Sequence, residues 1–223
     1  MSALTFTLKS KPAFMLDCSR LTPDNLTSLS LKQISNLPLT GNKNSLRVSD
    51  FFIISGNSTQ HIIFKNSHLS LNKIGHKMSQ GQITIEGDCG DFLGANMQGG
   101  SIICLGNAGD RVGDQMRRGL ILIDGNAGDY CASRMIAGTI GVYGILGKFC
   151  GYAMKRGTVL LKNHSDFHVS IQDCGTLNLP FLALLYQSFA PFSTNFNQLT
   201  TQRVQRFAGD LACNGNGEIL ILV

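Results

Sequence analysis

Cut every nineteen residues, the stretch 81–157 reads GQITIEGDCGDFLGANMQG, GSIICLGNAGDRVGDQMRR, GLILIDGNAGDYCASRMIA and GTIGVYGILGKFCGYAMKR, closed by Gly157. The cuts align whole columns. Gly81, Gly100, Gly119, Gly138 and Gly157 head the units. Gly87, Gly106, Gly125 and Gly144 follow six residues in, and Gly90, Gly109, Gly128 and Gly147 nine residues in. A further column holds Gly94, Gly113, Ala132 and Gly151, and the next is methionine throughout, Met97, Met116, Met135 and Met154, with its phase reaching back to Gly75 and Met78. A fixed period without insertions is the mark of a repeat architecture.

The apolar residues set the secondary structure. The third residue of each unit is Ile83, Ile102, Ile121, Ile140 and Val159; the fifth is Ile85, Cys104, Ile123, Val142 and Leu161. That is a period of two, the signature of a strand with one buried face. A helix would require apolar residues at three-and-four spacing, and glycine at this density would cost it about 1 kcal/mol per residue. One arrangement accommodates every column: an all-β chain in which each 19-residue unit is one coil of a single-stranded parallel β-helix, like residues stacking about 4.8 Å apart. Glycine then stands where the backbone corners or where coils approach closely, and methionine fills the irregular space at a corner.

The block is expected to span 62–163. All five prolines lie outside 39–179, as they must if the block is a hydrogen-bonded ladder. Bare terminal coils would invite aggregation, so the flanks are read as short α/β capping segments. Residues 1–61 form the N-terminal one, with a strand at Leu4–Leu8, a helix start at Thr22-Pro23-Asp24 and a strand at Phe51–Ser55. Residues 164–223 form a C-terminal cap and docking segment, with a helix over Pro180–Phe189 and a last strand Glu218–Val223 after the Asn214-Gly215 turn.

Of the 223 residues, 43% are hydrophobic and 15% charged, which excludes a disordered chain and leaves few charges for an exposed surface, as in a subunit with buried faces. The net charge of +5 is modest and no basic run occurs, so nucleic acid is not an expected partner. No apolar stretch suits a spanning helix or a secretory signal, and the expected location is the cytoplasm. The seven cysteines include no CxxC pair, and thiols are expected; Cys131 and Cys150, one period apart, stack as small apolar side chains.

No constellation points to catalysis by this chain. Gly106–Gly113 resembles a phosphate loop only superficially, because it recurs in every coil and precedes no helix. His164, His168 and Asp166 follow a strand and have no further ligand beside them, so no metal site is expected. Asp91, Asp110 and Asp129 follow the corner glycines, where turn chemistry accounts for them. The remaining candidate is a basic one. Arg117, Arg118, Lys155 and Arg156 occupy equivalent turns two coils apart, with Arg111 and Arg134 near them in the pattern. They read either as a solvated rim, the commoner outcome on a repeat surface, or as a patch that suits an anion, an acidic partner face or a polyanionic cofactor arm.

The coil formula Gly-x2-Gly-x3-Gly-x2-Met-x2-Gly, as in GDCGDFLGANMQGG (87–100) and GNAGDRVGDQMRRG (106–119), resembles two families: the C-terminal domain of glutamate synthase and the C subunit of formylmethanofuran dehydrogenase. The flanks select the second, through LTSLSLKQISNLPL (26–39), SLRVSDFFIISG (45–56) and FAGDLACNGNGEILIL (207–222). Ala132 departs from the formula, and a locally modified corner is expected there. The resemblance implies a non-catalytic structural subunit of a formyltransferase/hydrolase or dehydrogenase complex of one-carbon metabolism. The dehydrogenase form would make or oxidise formylmethanofuran. The formyltransferase/hydrolase form, the one expected here, would move formyl between tetrahydromethanopterin and a methanofuran-type cofactor with a glutamate-rich arm and release formate. Its amidohydrolase-like and formyltransferase subunits would be the partners, with metal in another subunit and no cofactor on this chain alone. Two alternatives remain: a detached glutamate-synthase-type spacer, and a stand-alone anion-binding module.

Overall fold

Alternating apolar residues do become strands, and the period becomes their register. The computed structural model of the chain describes residues 2–39 and 46–223, so residues 1 and 40–45 of the N-terminal flank lie outside it. In chain order the elements are β1 (Ala3–Leu8), β2 (Leu16–Asp17), α1 (Pro23–Leu26), α2 (Leu31–Ser35), α3 (Val48–Phe51), β3 (Phe52–Ser55), β4 (Ser58–Ser67), β5 (Leu71–Asn72), β6 (Gln82–Gly87), β7 (Ser101–Cys104), β8 (Leu120–Ile123), β9 (Thr139–Val142), β10 (Thr158–Leu161), β11 (Gln172–Asn178), α4 (Phe181–Phe189), β12 (Arg203–Gly209) and β13 (Gly217–Leu222). Eleven strands form one mixed sheet in the order β11-β12-β13-β10-β9-β8-β7-β6-β4-β1-β3, while β2 and β5 pair separately.

From β6 to β10 the strands are parallel and step by nineteen residues, so Ile83 pairs with Ile102, Ile102 with Ile121, Ile121 with Ile140 and Ile140 with Val159. The column continues past the period at both ends. Leu4 pairs with Ile62 and Ile62 with Ile83, and Val159 pairs with Ile219. Its neighbour runs Phe6, Phe64, Ile85, Cys104, Ile123, Val142, Leu161, Ile221, and every member of both columns is buried. Successive units are also bonded away from the strands, through bridges Cys89–Ala108, Ala108–Ala127 and Ala127–Leu146 and through corner bonds such as Arg111 N–H to the Asp129 carbonyl.

The glycine and methionine columns interlock. Gly119 has φ +108, open to glycine at low cost, and an added Cβ would stand 2.8 Å from the Met97 methyl carbon and 2.8 Å from the Gly100 carbonyl oxygen. Equivalent contacts join Gly100 to Met78, Gly138 to Met116 and Gly157 to Met135. The methionine thus packs beneath the glycine that opens the second unit after its own.

Ala132 does not modify its corner. Its φ of +59 matches the left-handed +64 of Gly113.

The chain leaves the repeat differently at each end. Phe6, Phe52 and Phe64 fill the end of the core beneath β1, β3 and β4, with ring centroids 5.4–6.1 Å apart. Thr22 accepts a bond from Asn25 N–H ahead of Pro23, which starts α1. At the other end β11, β12 and β13 are antiparallel, and the chain between β11 and β12 folds back over the sheet. There Leu182, Tyr186 and Phe189 of α4 and Phe196 cover Ile103, Leu122 and Leu160, the outward residues of β7, β8 and β10. Gly141 is the outward residue of β9, and an added Cβ there would lie 2.7 Å from the Phe196 ring.

Candidate functional surface

The basic turns meet solvent. Arg117, Arg118, Lys155 and Arg156 are all exposed, and Ile136-Ala137 stands between the two pairs in the intervening unit. Met97 and Met135, buried beneath these turns, accept backbone bonds from Arg117 and Lys155. The Lys155 ammonium donates to the Cys213 carbonyl at 2.8 Å, so part of its charge is spent on holding the C-terminal segment. Four exposed long side chains do not form an enclosed cradle, and the patch does not fit a site that would hold a furan cofactor by itself.

The other two arginines of the pattern are engaged elsewhere. Arg111 lies over the Tyr130 ring at 4.7 Å and the Phe92 ring at 5.9 Å, and Tyr130 stacks on Phe149 at 5.0 Å. Phe92, Arg111, Tyr130 and Phe149 occupy one corner column, each with φ near +60, so the period alone places cation on ring. Arg134 grips Asp114 with two bonds, 3.0 Å from Nε and 2.6 Å from a terminal guanidinium nitrogen, and Ser133 donates to the same carboxylate at 2.6 Å. Burial pushes the Asp114 pKa up, but the bonds from Arg134, Ser133 and Gln115 outweigh it and hold the carboxyl below its ordinary value.

The polar columns tie one unit to the next. Asp91 accepts from Asp110 N–H (2.9 Å), Asp110 from Asp129 N–H (2.8 Å) and Asp129 from Lys148 N–H (2.7 Å). A parallel ladder runs from Asp88 to Asn107, Asn107 to Asn126 and Asn126 to Ile145. These carboxylate and amide oxygens are structural acceptors, a role beyond their own turns.

Among the described residues no cluster of three or more His, Cys, Asp or Glu side chains is placed to share a metal ion. His168 is exposed and pairs through Nδ1 with the Ser170 hydroxyl at 2.9 Å. All seven cysteines are thiols; Cys89 and Cys104 bring their sulfurs to 3.7 Å, and the Cys131 thiol together with burial raises the pKa of Cys150 well above its ordinary value. Such thiols are poor nucleophiles.

No family model matches the sequence. The C subunit of the tungsten-containing formylmethanofuran dehydrogenase 2 of Methanothermobacter marburgensis is 32% identical over 100 residues, 43% of this chain and 37% of the relative. The C subunit of the formyltransferase/hydrolase complex Fhc of Methylorubrum extorquens is 31% identical over 78 residues, 35% of this chain and 29% of the relative. These alignments span 37% and 29% of the curated relatives' length. The similarity in three dimensions is broader. A chain in the crystal structure of the formyltransferase/hydrolase complex (FhcABCD) from Methylorubrum extorquens, in complex with methylofuran, superposes with a TM-score of 0.66 and 31% identity, over 98% of this chain and 99% of that one. The chain belongs to the C-subunit family of formylmethanofuran dehydrogenases and formyltransferase/hydrolase complexes. For a member of this C-subunit family, the columns described above define the body of the molecule, and its exposed surfaces include the basic turns, the aromatic corner and the outer side of the C-terminal segment.

Proposed function

We propose that this C subunit is the structural member of a hetero-oligomeric formyltransferase/hydrolase complex acting in the cytoplasm. Its body is a parallel β-helix of 19-residue coils over 62–163, with 1–61 and 164–223 as capping segments that also dock partners. The observation that carries the reading is the near full-length similarity to a chain of the methylofuran-bound complex. The complex, with catalytic and metal-bearing neighbours, moves formyl between a tetrahydromethanopterin carrier and a methanofuran-type cofactor. This chain contributes shape and contact surfaces to it. Buried thiols, carboxylates committed to backbone bonds and exposed basic turns support a non-catalytic role. The basic turns face an acidic partner surface or the acidic arm of the cofactor as another subunit presents it.

The test is to recover the chain from its native host and identify what accompanies it. Amidohydrolase-like and formyltransferase subunits, with formyl-transfer activity that disappears when this chain is deleted and returns when it is restored, are the expected result. A chain that purifies alone and turns over formyl carriers by itself overturns the reading.

A further inference from the structure

Charge is scarce in this chain and absent from one long part of it: every residue from Cys174 to Gln202 is uncharged. A solvated surface carries charges of both signs, whereas the centre of a stable protein interface is depleted of them. Two consecutive elements, β11, whose last five residues fall in this stretch, and α4, joined only by Leu179-Pro180, each keep one side without a neighbour. β11 closes the sheet on one side, and all seven of its residues are exposed. Apart from a bulge between Asp173 and Thr176 and the single charge of Asp173, it carries none of the lysines or prolines that blunt an edge against further pairing. The opposite edge, β3, has four residues.

α4 presents the second unpartnered surface. Leu182, Tyr186 and Phe189 bury one face against the sheet, while Phe181 and Leu184, one turn apart on another face, remain 42% and 68% exposed. A helix apolar on both faces is one that is covered on both. Leu177, near the end of β11, is 39% exposed as well.

We propose that β11 and the outward face of α4 form the seat of another protein subunit, which adds an extended segment to the β11 edge and apolar side chains to Phe181 and Leu184. The scarcity of charge selects the occupant. A nucleic acid or an acidic cofactor arm would find a single cation here, Arg203 beside Asn178, with Asp173 of opposite sign on the same strand as Asn178, whereas a largely uncharged protein face desolvates at low cost. Self-pairing of β11 in a second copy brings together a strand with no buried side chain on either side, so little apolar surface is gained. The inference rests on the reading of the chain as a member of a complex and assigns the surface that makes it one.

The experiment compares three tagged chains expressed in the native host: the parent, a Leu177→Asp/Leu184→Asp double variant, and Leu31→Asp. Leu31 is 45% exposed in α2, away from the proposed seat. Parent and Leu31→Asp are expected to recover the same subunits, and the double variant at least about tenfold less of them with an unchanged melting temperature. Hydrogen exchange on the parent complex is expected to show added protection of amides 172–178 and 181–188 relative to the isolated chain, a readout independent of any variant's folding. A double variant that retains its subunits, no added protection in the complex, or a dimer of this chain dissolved by the substitutions each overturns the seat. If the parent recovers no other subunit, the seat fails together with the reading of the chain as part of a complex; if parent and double variant assemble equally, only the seat fails.

Discussion

The δ-methyl of Ile140 occupies the space into which a side chain at Gly113 would project. The same relation joins Gly75 to Ile102 and Gly94 to Ile121, always twenty-seven residues apart. One unit further on, the equivalent residues are Ala132 and Val159. Valine lacks the δ-carbon and alanine adds a methyl, so the two departures from the column offset each other. Gly113→Ala alone is expected to destabilise the fold by about 2–4 kcal/mol through overpacking and a left-handed alanine. Ile140→Val alone should cost about 0.5–1.5 kcal/mol. The double variant, which copies the Ala132–Val159 arrangement, should lie above the sum of the two by roughly 1 kcal/mol. Denaturant midpoints of the four proteins measure this, and strict additivity rules the compensation out.

Gly141 gives a second test, on the outer side of the sheet. Phe196 lies where its side chain would be, and Asp124 at the end of β8 accepts a bond from Asn195 N–H at 3.0 Å. Gly141→Leu should lift the covering segment, with faster hydrogen exchange over 181–199 and a loss of about 1–3 kcal/mol. Exchange in β6 to β8 should change little. Uniform acceleration throughout would show that cover and sheet unfold as one unit.

Asp114 predicts a pH dependence. Its folded pKa lies below the unfolded value, so the folded state binds the proton more weakly and the contribution is fully present above the unfolded pKa of about 4. It is lost as pH falls through the folded pKa. Asp114→Asn should lower stability at pH 7 by about 1–3 kcal/mol, and the gap to the parent should narrow below about pH 4. Melting temperatures from pH 7 to pH 3 report this; a gap that widens on acidification contradicts the assignment.

The repeating body was legible because one constraint acts on many residues at once: nineteen residues per step makes every buried position a column. The seating of α4 was written less plainly. Its signal was the outward column, Thr84 in β6 but Ile103, Leu122, Gly141 and Leu160 in β7 to β10, apolar where an uncovered face would be polar. β12, with RVQRFAG, mixes charges with apolar residues in a pattern that a loop shares, and its pairing is fixed by β13 instead. The carboxylate ladder escaped because a turn explains Asp91, Asp110 and Asp129 singly, whereas the bonds run between units. Arg111 and Arg134 were separated from the basic turns by partners distant in sequence, Phe92 and Tyr130 for one and Asp114 for the other.

The basic turns remain the most direct test of electrostatic docking. Arg118 and Arg156 are two units apart, about 10 Å by strand spacing, with the uncharged Ala137 between them. Lys155 is partly committed to Cys213, so the charge free to meet a partner resides mainly in the arginines. Arg118→Glu with Arg156→Glu reverses that charge on exposed side chains and should leave the melting temperature of the isolated chain within about 2 °C of the parent. If the patch meets a carboxylate-rich surface, the doubly substituted complex should assemble more weakly at low salt. The difference should shrink as ionic strength rises, because screening weakens the attraction in the parent and the repulsion in the variant alike. Pull-down yield and formyl-transfer rate across a salt series measure both effects. Equal assembly and equal activity at every salt concentration would make these turns a solvated rim.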